Sequence, residues 1–209
     1  MNLNRRVQEM NKFFNRVVDI DYDQKHLQMI KGKERVIDYL PRNIENIIDL
    51  GAGTGLQLIK LYELYPNVHT TAIDISDGML RKLEERHLSD NIEIVNKNFF
   101  DYDFGYETRD AVISTQALHH FQEEDKLVLY KKVYDALKEN GVFVIEDYFV
   151  NTLDEEREKL LEYELQSKGP DSHYDTPLTV EHEKSILEAV GFKVQQELTD
   201  DYRILIATK

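Results

Sequence analysis

Apolar residues recur along this chain with two periods, and the switching between them predicts the fold class. Over the first forty residues Val7, Met10, Phe14, Val17 and Val18 fall at helical spacing and form one apolar stripe, and Pro41 closes the region. Short runs rich in Ile and Val then appear at Asn46–Leu50, Thr70–Asp74, Ile92–Val95, Ala111–Ser114 and Val142–Glu146, which read as strands. Amphipathic helices fall between most of them. One carries Leu58, Leu61, Tyr62 and Tyr65; a second carries Met79, Leu80 and Leu83, with Ser76 or Asp77 placed to cap it. Another carries Leu127, Tyr130, Tyr134 and Leu137 and is expected to stop at Asn140-Gly141. Strands alternating with helices predict an α/β domain, its sheet mostly parallel and covered by helices on both faces.

After Glu146 the pattern changes. Residues 151 to about 175 are strongly charged and then turn-like through Lys168-Gly169-Pro170-Asp171. A helix capped by Thr179 follows, carrying Ile186, Leu187 and Val190 and ending at Gly191. Two last strands, Lys193–Glu197 and Tyr202–Thr208, are joined by a tight turn at Thr199–Asp201. A closing antiparallel hairpin sets this sheet apart from a plain dinucleotide-binding fold. Residues 1–209 read as a single domain, with 1–40 a helical cap segment and 151–178 an inserted lid segment.

Composition narrows the function. Hydrophobic residues make up 41% and aromatics 10%, enough for a packed core, and no apolar run approaches the roughly 18 residues of a membrane span. The N-terminal stretch lacks the apolar centre of a secretion signal, so a cytoplasmic location is expected. The chain has no cysteine, which excludes disulfides, thiolate nucleophiles and cysteine-based zinc sites. Lys and Arg total 26 against 40 Asp and Glu, a formal net charge of −14. Such a surface repels a phosphate backbone, so no nucleic-acid partner is expected, and without an apolar span no membrane is expected either; the acidity otherwise serves solubility. A monomer or homodimer is expected.

The most informative stretch is Ile47-Ile48-Asp49-Leu50-Gly51-Ala52-Gly53-Thr54-Gly55, a strand running into three alternate glycines and then a helix. Glycines permit the tight turn and let a ligand approach the backbone, while the helix start offers free N–H groups. A dinucleotide fingerprint places a third glycine where this chain has Leu56. The pattern Gly-x-Gly-x-Gly after an Asp-bearing strand instead resembles the first motif of class I S-adenosylmethionine-dependent methyltransferases, and the likeness extends closely from Asp49 to Glu146.

That resemblance implies a Rossmann-like seven-stranded sheet with a C-terminal antiparallel hairpin and S-adenosylmethionine as cofactor. It places Gly51, Ala52 and Gly53 beneath the methionine portion, with Asp49 holding the loop and attracting the ammonium group. Asp74, which ends the second strand in Ala-Ile-Asp-Ile-Ser, would accept both ribose hydroxyls, with Ile75 packing on the adenine. Met79 joins the same set. After the third strand the family usually has an acid and a small apolar residue; here the stretch is Lys97-Asn98-Phe99-Phe100-Asp101. Asn98 would bond the adenine amine and the Phe99 N–H a ring nitrogen, with Asp101 the substitute if the register slips.

Methyl transfer from a sulfonium needs an acceptor aligned within ~3–3.5 Å and, for some acceptors, removal of a proton. The string Ser114-Thr115-Gln116-Ala117-Leu118-His119-His120-Phe121 resembles the segment after strand four in small-molecule methyltransferases. Thr115 or Gln116 backbone would meet the cofactor there, and His120 is the candidate general base, since imidazole titrates near neutrality. Its plain alternative is a loop-packing or capping histidine. His119, His120 and His173 could gather a metal with Glu146 or Asp147, but no fixed ligand spacing exists and no metal is expected. Asp21-Tyr22-Asp23 resembles a Tyr-Asp pair that closes over the cofactor in relatives, making Tyr22 a lid candidate. Acceptor contacts are expected from His119 and, in the insert Thr152–Thr176, from His173 and Tyr174 beside Tyr163; the insert's charged helix reads equally as a solvated cover. The leading function is methyl transfer to a small-molecule acceptor, giving S-adenosylhomocysteine. The alternatives are a tRNA or protein methyltransferase, disfavoured by the lack of an Asn-Pro-Pro-Tyr tetrad, and a silent cofactor-binding regulator.

Overall fold

In the computed structural model, which describes residues 3–18, 22–26, 29–165 and 173–209, every Ile/Val run becomes a strand. These are β1 (Asn46–Leu50), β2 (His69–Asp74), β3 (Ile92–Asn96), β4 (Arg109–Thr115) and β5 (Leu137–Glu146), followed by β6 (Lys193–Leu198) and β7 (Arg203–Thr208). They form one seven-stranded sheet in the order β3-β2-β1-β4-β5-β7-β6. The first five pair in parallel, and β7 runs antiparallel between β5 and β6. From β1 the chain steps outward to β2 and β3, then returns to place β4 on the other side of β1. That reversal opens a crevice at the C-terminal strand ends, where ligands bind in such sheets.

Successive strand residues face opposite sides, and both sides are filled. Ile48, Leu50, Val112, Phe143 and Leu205 pack against α6 (Glu123–Ala136) and α8 (Val180–Val190) through Leu129, Tyr130, Val133, Ile186 and Leu187. On the other side Ile47, Ala72, Ala111, Ile113, Val144 and Ile204 meet Leu58 and Leu61 of α4 (Leu56–Leu64) and Leu80 and Leu83 of α5 (Asp77–Glu84). Ser76 caps α5 by accepting from Met79 N at 3.2 Å, and Thr179 caps α8 by accepting from His182 N at 3.2 Å. Gly191 ends α8 in the left-handed region at φ 119°.

One helix face departs from the sequence reading. The buried side of α6 is Lys126, Leu129, Tyr130, Val133 and Ala136, whereas Leu127 is 46% exposed. Lys126 hides the true phase because it fills a core position as an ion, paired with buried Glu183 of α8. The helix also stops before Leu137, which already pairs with Arg109 in the sheet.

The N-terminal stripe forms α1 (Leu3–Val17), with α2 (Tyr22–His26) and α3 (Ile30–Arg35) following. Val7, Met10 and Val18 are buried, and Phe14 and Val17 half-buried. Two ties hold α1 in place. Arg6, 1% exposed, donates through Nη1 to Asp125 Oδ2 at 2.9 Å, and through Nη2 to Gln122 Oε1 at 2.9 Å and the Tyr163 hydroxyl at 3.2 Å. Asn15 Oδ1 accepts from the Ser76 hydroxyl and from Gly78 N, both at 2.8 Å. Tyr163 belongs to α7 (Leu153–Leu165); the predicted turn at Lys168–Asp171 lies outside the described residues. No helix among the described residues is long and apolar enough to cross a membrane.

Candidate active site

The glycine loop leaves β1 with Gly51, Gly53 and Gly55 at φ 72°, 55° and 74°. A Cβ on Gly51 would stand 2.5 Å from the Ala117 Cβ, so a side chain there would force the loops after β1 and β4 apart. A Cβ on Gly53 would meet nothing nearer than a backbone oxygen at 4.0 Å, so the chain there is open to an approaching ligand. Gly51 N and Ala52 N donate to the Ile73 carbonyl at 2.9 and 3.1 Å, and Gly53 N donates to Asp74 Oδ2 at 2.9 Å. The other Asp74 oxygen accepts from Ser76 N at 2.8 Å. A carboxylate offers about four acceptor positions, so Asp74 keeps roughly two for a ligand. Burial pushes the Asp74 pKa up, against the pull of the Ser76 and Gly53 amides.

The loop forms the floor of a cavity at the C-terminal strand ends, where ligands bind in such sheets. Ile75, Met79, Asn98 and Phe99 line one part, and Thr115, Gln116 and Ala117 another. Val7, Met10 and Phe14 of α1 form the roof. The Thr115 hydroxyl is buried without a hydrogen-bond partner among the described residues. Most residues expected around a cofactor are therefore brought together.

Asp49 is the exception. It is fully buried and does not line the cavity, because its side chain turns behind the loop to accept from Gln57 Nε2 at 2.6 Å. Its Oδ1 has no hydrogen-bond partner among the described residues, and burial pushes its pKa up to about 7, opposed by Gln57 and Lys33. It holds the loop by contact and reaches the cavity only through its field. Asp101 does not substitute for Asn98 either: it accepts from Asn98 Nδ2 at 3.2 Å and lies outside the lining.

A second, more open cavity adjoins the first, and Phe14, Tyr22, Gln116 and His120 line both. His119, Glu146, Asp147, Tyr148, His173, Asp175 and Tyr202 are among its other walls. The histidines sit on a short turn after β4 that Asp147 organises, its Oδ2 accepting from Leu118 N at 2.9 Å and His119 N at 3.0 Å. Asp147 Oδ1 also takes His119 Nδ1 at 2.5 Å. Burial opposes charge on His119, but the Asp147 carboxylate outweighs it and raises the imidazole pKa. His120 Nδ1 lies 2.9 Å from the Tyr174 carbonyl, so that nitrogen carries the proton and Nε2 is left free. Burial, then neighbouring His119, pushes the His120 pKa down to about 4, which keeps the ring neutral.

Tyr22 stands at the junction, its phenol pushed up by burial and by Asp74 and Asp23. Asp23 accepts from the Thr54 hydroxyl at 2.6 Å and pairs with Arg86, so the Tyr-Asp segment is anchored beside the glycine loop; Asp21 lies outside the described residues. Tyr174 does not face an acceptor. It is fully buried between Met10 and Tyr163, and its hydroxyl donates to Glu9 of α1. Its size and apolar ring make it part of the packing, and only its carbonyl reaches the site. Glu146 and Asp147 stay outside the histidine cluster, since Glu146 accepts from Gln116 Nε2 at 3.0 Å and Asp147 stands behind His119.

Sequence reading missed three groups. Lys33, 6% exposed, lines the first cavity, and burial lowers its pKa against the pull of Glu146 and Asp49. Gln57 and Asp175 were likewise unmarked. A helical lysine, a helical glutamine and a loop aspartate carry no local signal; only the tertiary fold gives them partners.

Residues 47–141 match a family described as a methyltransferase domain. The chain is 30% identical over 163 residues to phosphoethanolamine N-methyltransferase of Plasmodium falciparum, covering 77% of this chain and 59% of that protein. It is 29% identical over 108 residues to carboxy-S-adenosyl-L-methionine synthase of Nautilia profundicola, covering 51% of this chain and 45% of the other. The chain thus spans about half the length of these curated relatives. An O-methyltransferase family protein from Burkholderia thailandensis superposes with a TM-score of 0.69 at 17% identity, over 94% of this chain and 58% of that one. At that identity the likeness speaks for the fold.

Proposed function

The chain belongs to the class I S-adenosylmethionine-dependent methyltransferases, and from that premise we propose that it transfers the cofactor's methyl group to a small-molecule acceptor held in the second cavity. The observation that carries this reading is the meeting of the two cavities at Phe14, Tyr22, Gln116 and His120. One cavity has a bare backbone floor and a half-satisfied carboxylate, as the cofactor requires. The other is walled by ionisable groups, among them His119, His120, Asp147, His173 and Asp175, which can bind a small polar acceptor. A net charge of −14 argues against a tRNA acceptor.

When bound, S-adenosylmethionine supplies an electrophilic methyl group on a sulfonium. Asp74 accepts from the ribose hydroxyls with its spare lone pairs, and Gly53 leaves its backbone open beneath the amino-acid portion. Ile75, Met79 and Phe99 give the adenine an apolar bed, with Asn98 at its polar edge, and the Thr115 hydroxyl supplies one further bond. Asp49 sets the charge behind the loop, and Lys33 sets it in the cavity wall. Phe14 and Tyr22 exclude water at the junction, which strengthens every polar contact inside. The free Nε2 of His120 is the candidate proton acceptor for an acceptor O–H, N–H or S–H group.

The test is calorimetric titration with S-adenosylmethionine, S-adenosylhomocysteine and NAD, followed by transfer from labelled cofactor to a panel of small amines, phenols and thiols. Both adenosyl compounds should bind, and at least one acceptor should take up label. Asp74→Ala should lower cofactor affinity roughly tenfold or more, because a charge-assisted hydrogen bond contributes ~1.5–3 kcal/mol. Tighter binding of NAD would overturn the reading, and cofactor binding without transfer to any acceptor would favour a regulator.

A further inference from the structure

The second cavity holds a cluster of which the methyl-transfer reading uses only His120. His119 Nε2 and His173 Nε2 each lie 3.5 Å from Asp175 Oδ1, and His120 Nδ1 lies 3.1 Å from it. One ligand-capable atom from each of these four side chains falls within 4.8 Å of all the others. Asp175 Oδ1 is buried, and its contacts to the imidazoles among the described residues are long, because the His120 N–H is aimed mainly at the Tyr174 carbonyl. A buried anionic oxygen ringed by three imidazole nitrogens at 3.1–3.5 Å is an arrangement that a cation completes.

We propose that His119, His173 and Asp175 bind a divalent transition-metal ion whose remaining positions face the second cavity. Atoms bound to one ion at about 2.1 Å stand about 3.0–3.5 Å apart, which is the spacing His119 and His173 already keep from Asp175. Two imidazoles and one carboxylate suit Zn²⁺, Co²⁺ or Fe²⁺ rather than Mg²⁺ or Ca²⁺, which take oxygen donors.

Each donor is also supported from behind. The Nδ1–H of His119 goes to Asp147, fixing the tautomer that frees Nε2, as in most metal-bound histidines. Asp175 is held by its neighbour Thr176, whose N–H donates to the His119 carbonyl at 2.7 Å. His173 is stacked on Phe13 with centroids 4.7 Å apart, and its side chain is 37% exposed, so a modest rotation closes the set. His120 stays off the ion with Nε2 free.

The role of the ion rests on the acceptor reading of this cavity. It would ligate the acceptor's oxygen, nitrogen or sulfur, lower the pKa of that group, and hand its proton to His120. The class of acceptor that fits is a metal-chelating one, with two donor atoms able to fill adjacent open positions.

The test begins with the full chain, stripped of metal by a chelator and titrated with Co²⁺ alone while its visible ligand-field absorption is followed. One equivalent should bind saturably, and Zn²⁺ should displace it. His173→Ala and Asp175→Asn, both on partly exposed side chains, should each weaken binding at least about a hundredfold while circular dichroism stays unchanged. Asp147→Asn, a positioning variant, should weaken it about ten- to hundredfold, and His182→Ala, on α8 and paired with Glu156, should leave it unaltered. Absence of saturable Co²⁺ binding overturns the proposal, as does binding that survives the His173→Ala/Asp175→Asn double variant. Because the readout is optical and needs neither cofactor nor turnover, metal binding without methyl transfer would sink only the acceptor reading. Metal-independent transfer with no Co²⁺ site would sink only this one.

Discussion

Asp49 shows how one side chain can be set against itself. The carboxylate is placed where the loop needs an acceptor for Gln57, yet burial raises its pKa to about 7. An acid whose folded pKa lies above its unfolded value of about 3.9 contributes stability that is complete below pH 4 and lost as pH rises through 7. The contribution of Asp49 to the stability of the cofactor-free protein should therefore fall between about pH 4 and 7. Asp49→Asn, which keeps the acceptor for Gln57, should flatten part of that fall, raising the melting midpoint at pH 7 and above while changing little at pH 4. Differential scanning calorimetry across that range checks this; an equal effect at both ends would mean that Asp49 keeps its ordinary pKa in the fold. Most of the glycine-loop contacts were readable because glycine spacing and a strand-end Asp are local signals. The placement of Asp49 behind the loop was not, since whether a strand's last carboxylate faces a cavity or a neighbouring helix depends on α4.

At the scale of elements, α6 and α8 are joined by an ion pair inside the core. Lys126 and Glu183 are both 1% exposed, and the Tyr130 hydroxyl also donates to Glu183. Removing one partner of such a pair leaves an uncompensated charge and costs about 3–5 kcal/mol, whereas replacing both by apolar groups is often near neutral. Lys126→Met should thus lower the urea midpoint sharply, and Lys126→Met/Glu183→Leu should recover much of the loss. If the double variant is as unstable as the single one, the pair is not the coupling between these helices. This pair also explains where the pattern of apolar positions misled. A search for hydrophobic stripes skips a lysine, so it shifts the face of α6 by one residue and exposes the wrong side. The strands, by contrast, were legible to within two residues at each end except β5, whose first five residues read as the end of the preceding helix, because Ile and Val in both inward directions admit only a sheet covered on both faces. Asp175 was invisible for a third reason: its neighbours in space, His119 and His120, lie more than fifty residues away in sequence.

The whole molecule is a sheet with a roof. α1 crosses the first cavity through Val7, Met10 and Phe14, and is pinned to α6 and α7 by Arg6 and to the start of α5 by Asn15. These ties lie outside the cavity lining, so loosening them changes the roof without touching the ligand's own contacts. Arg6→Ala should speed cofactor dissociation roughly tenfold or more, on the scale of one lost charge-assisted contact, with a smaller change in the rate of the methyl-transfer step. Stopped-flow displacement of a fluorescent cofactor analogue measures the first and rapid quench the second; equal dissociation rates in both proteins would show that α1 does not govern exchange. A pinned roof has a kinetic consequence if the proposed function holds: the spent cofactor would leave by the route its successor needs, and each exchange would wait for α1 to lift. After mixing with excess substrate, a rapid first round equal to the number of sites should precede a slower steady rate, and freeing Arg6 should erase the difference between them.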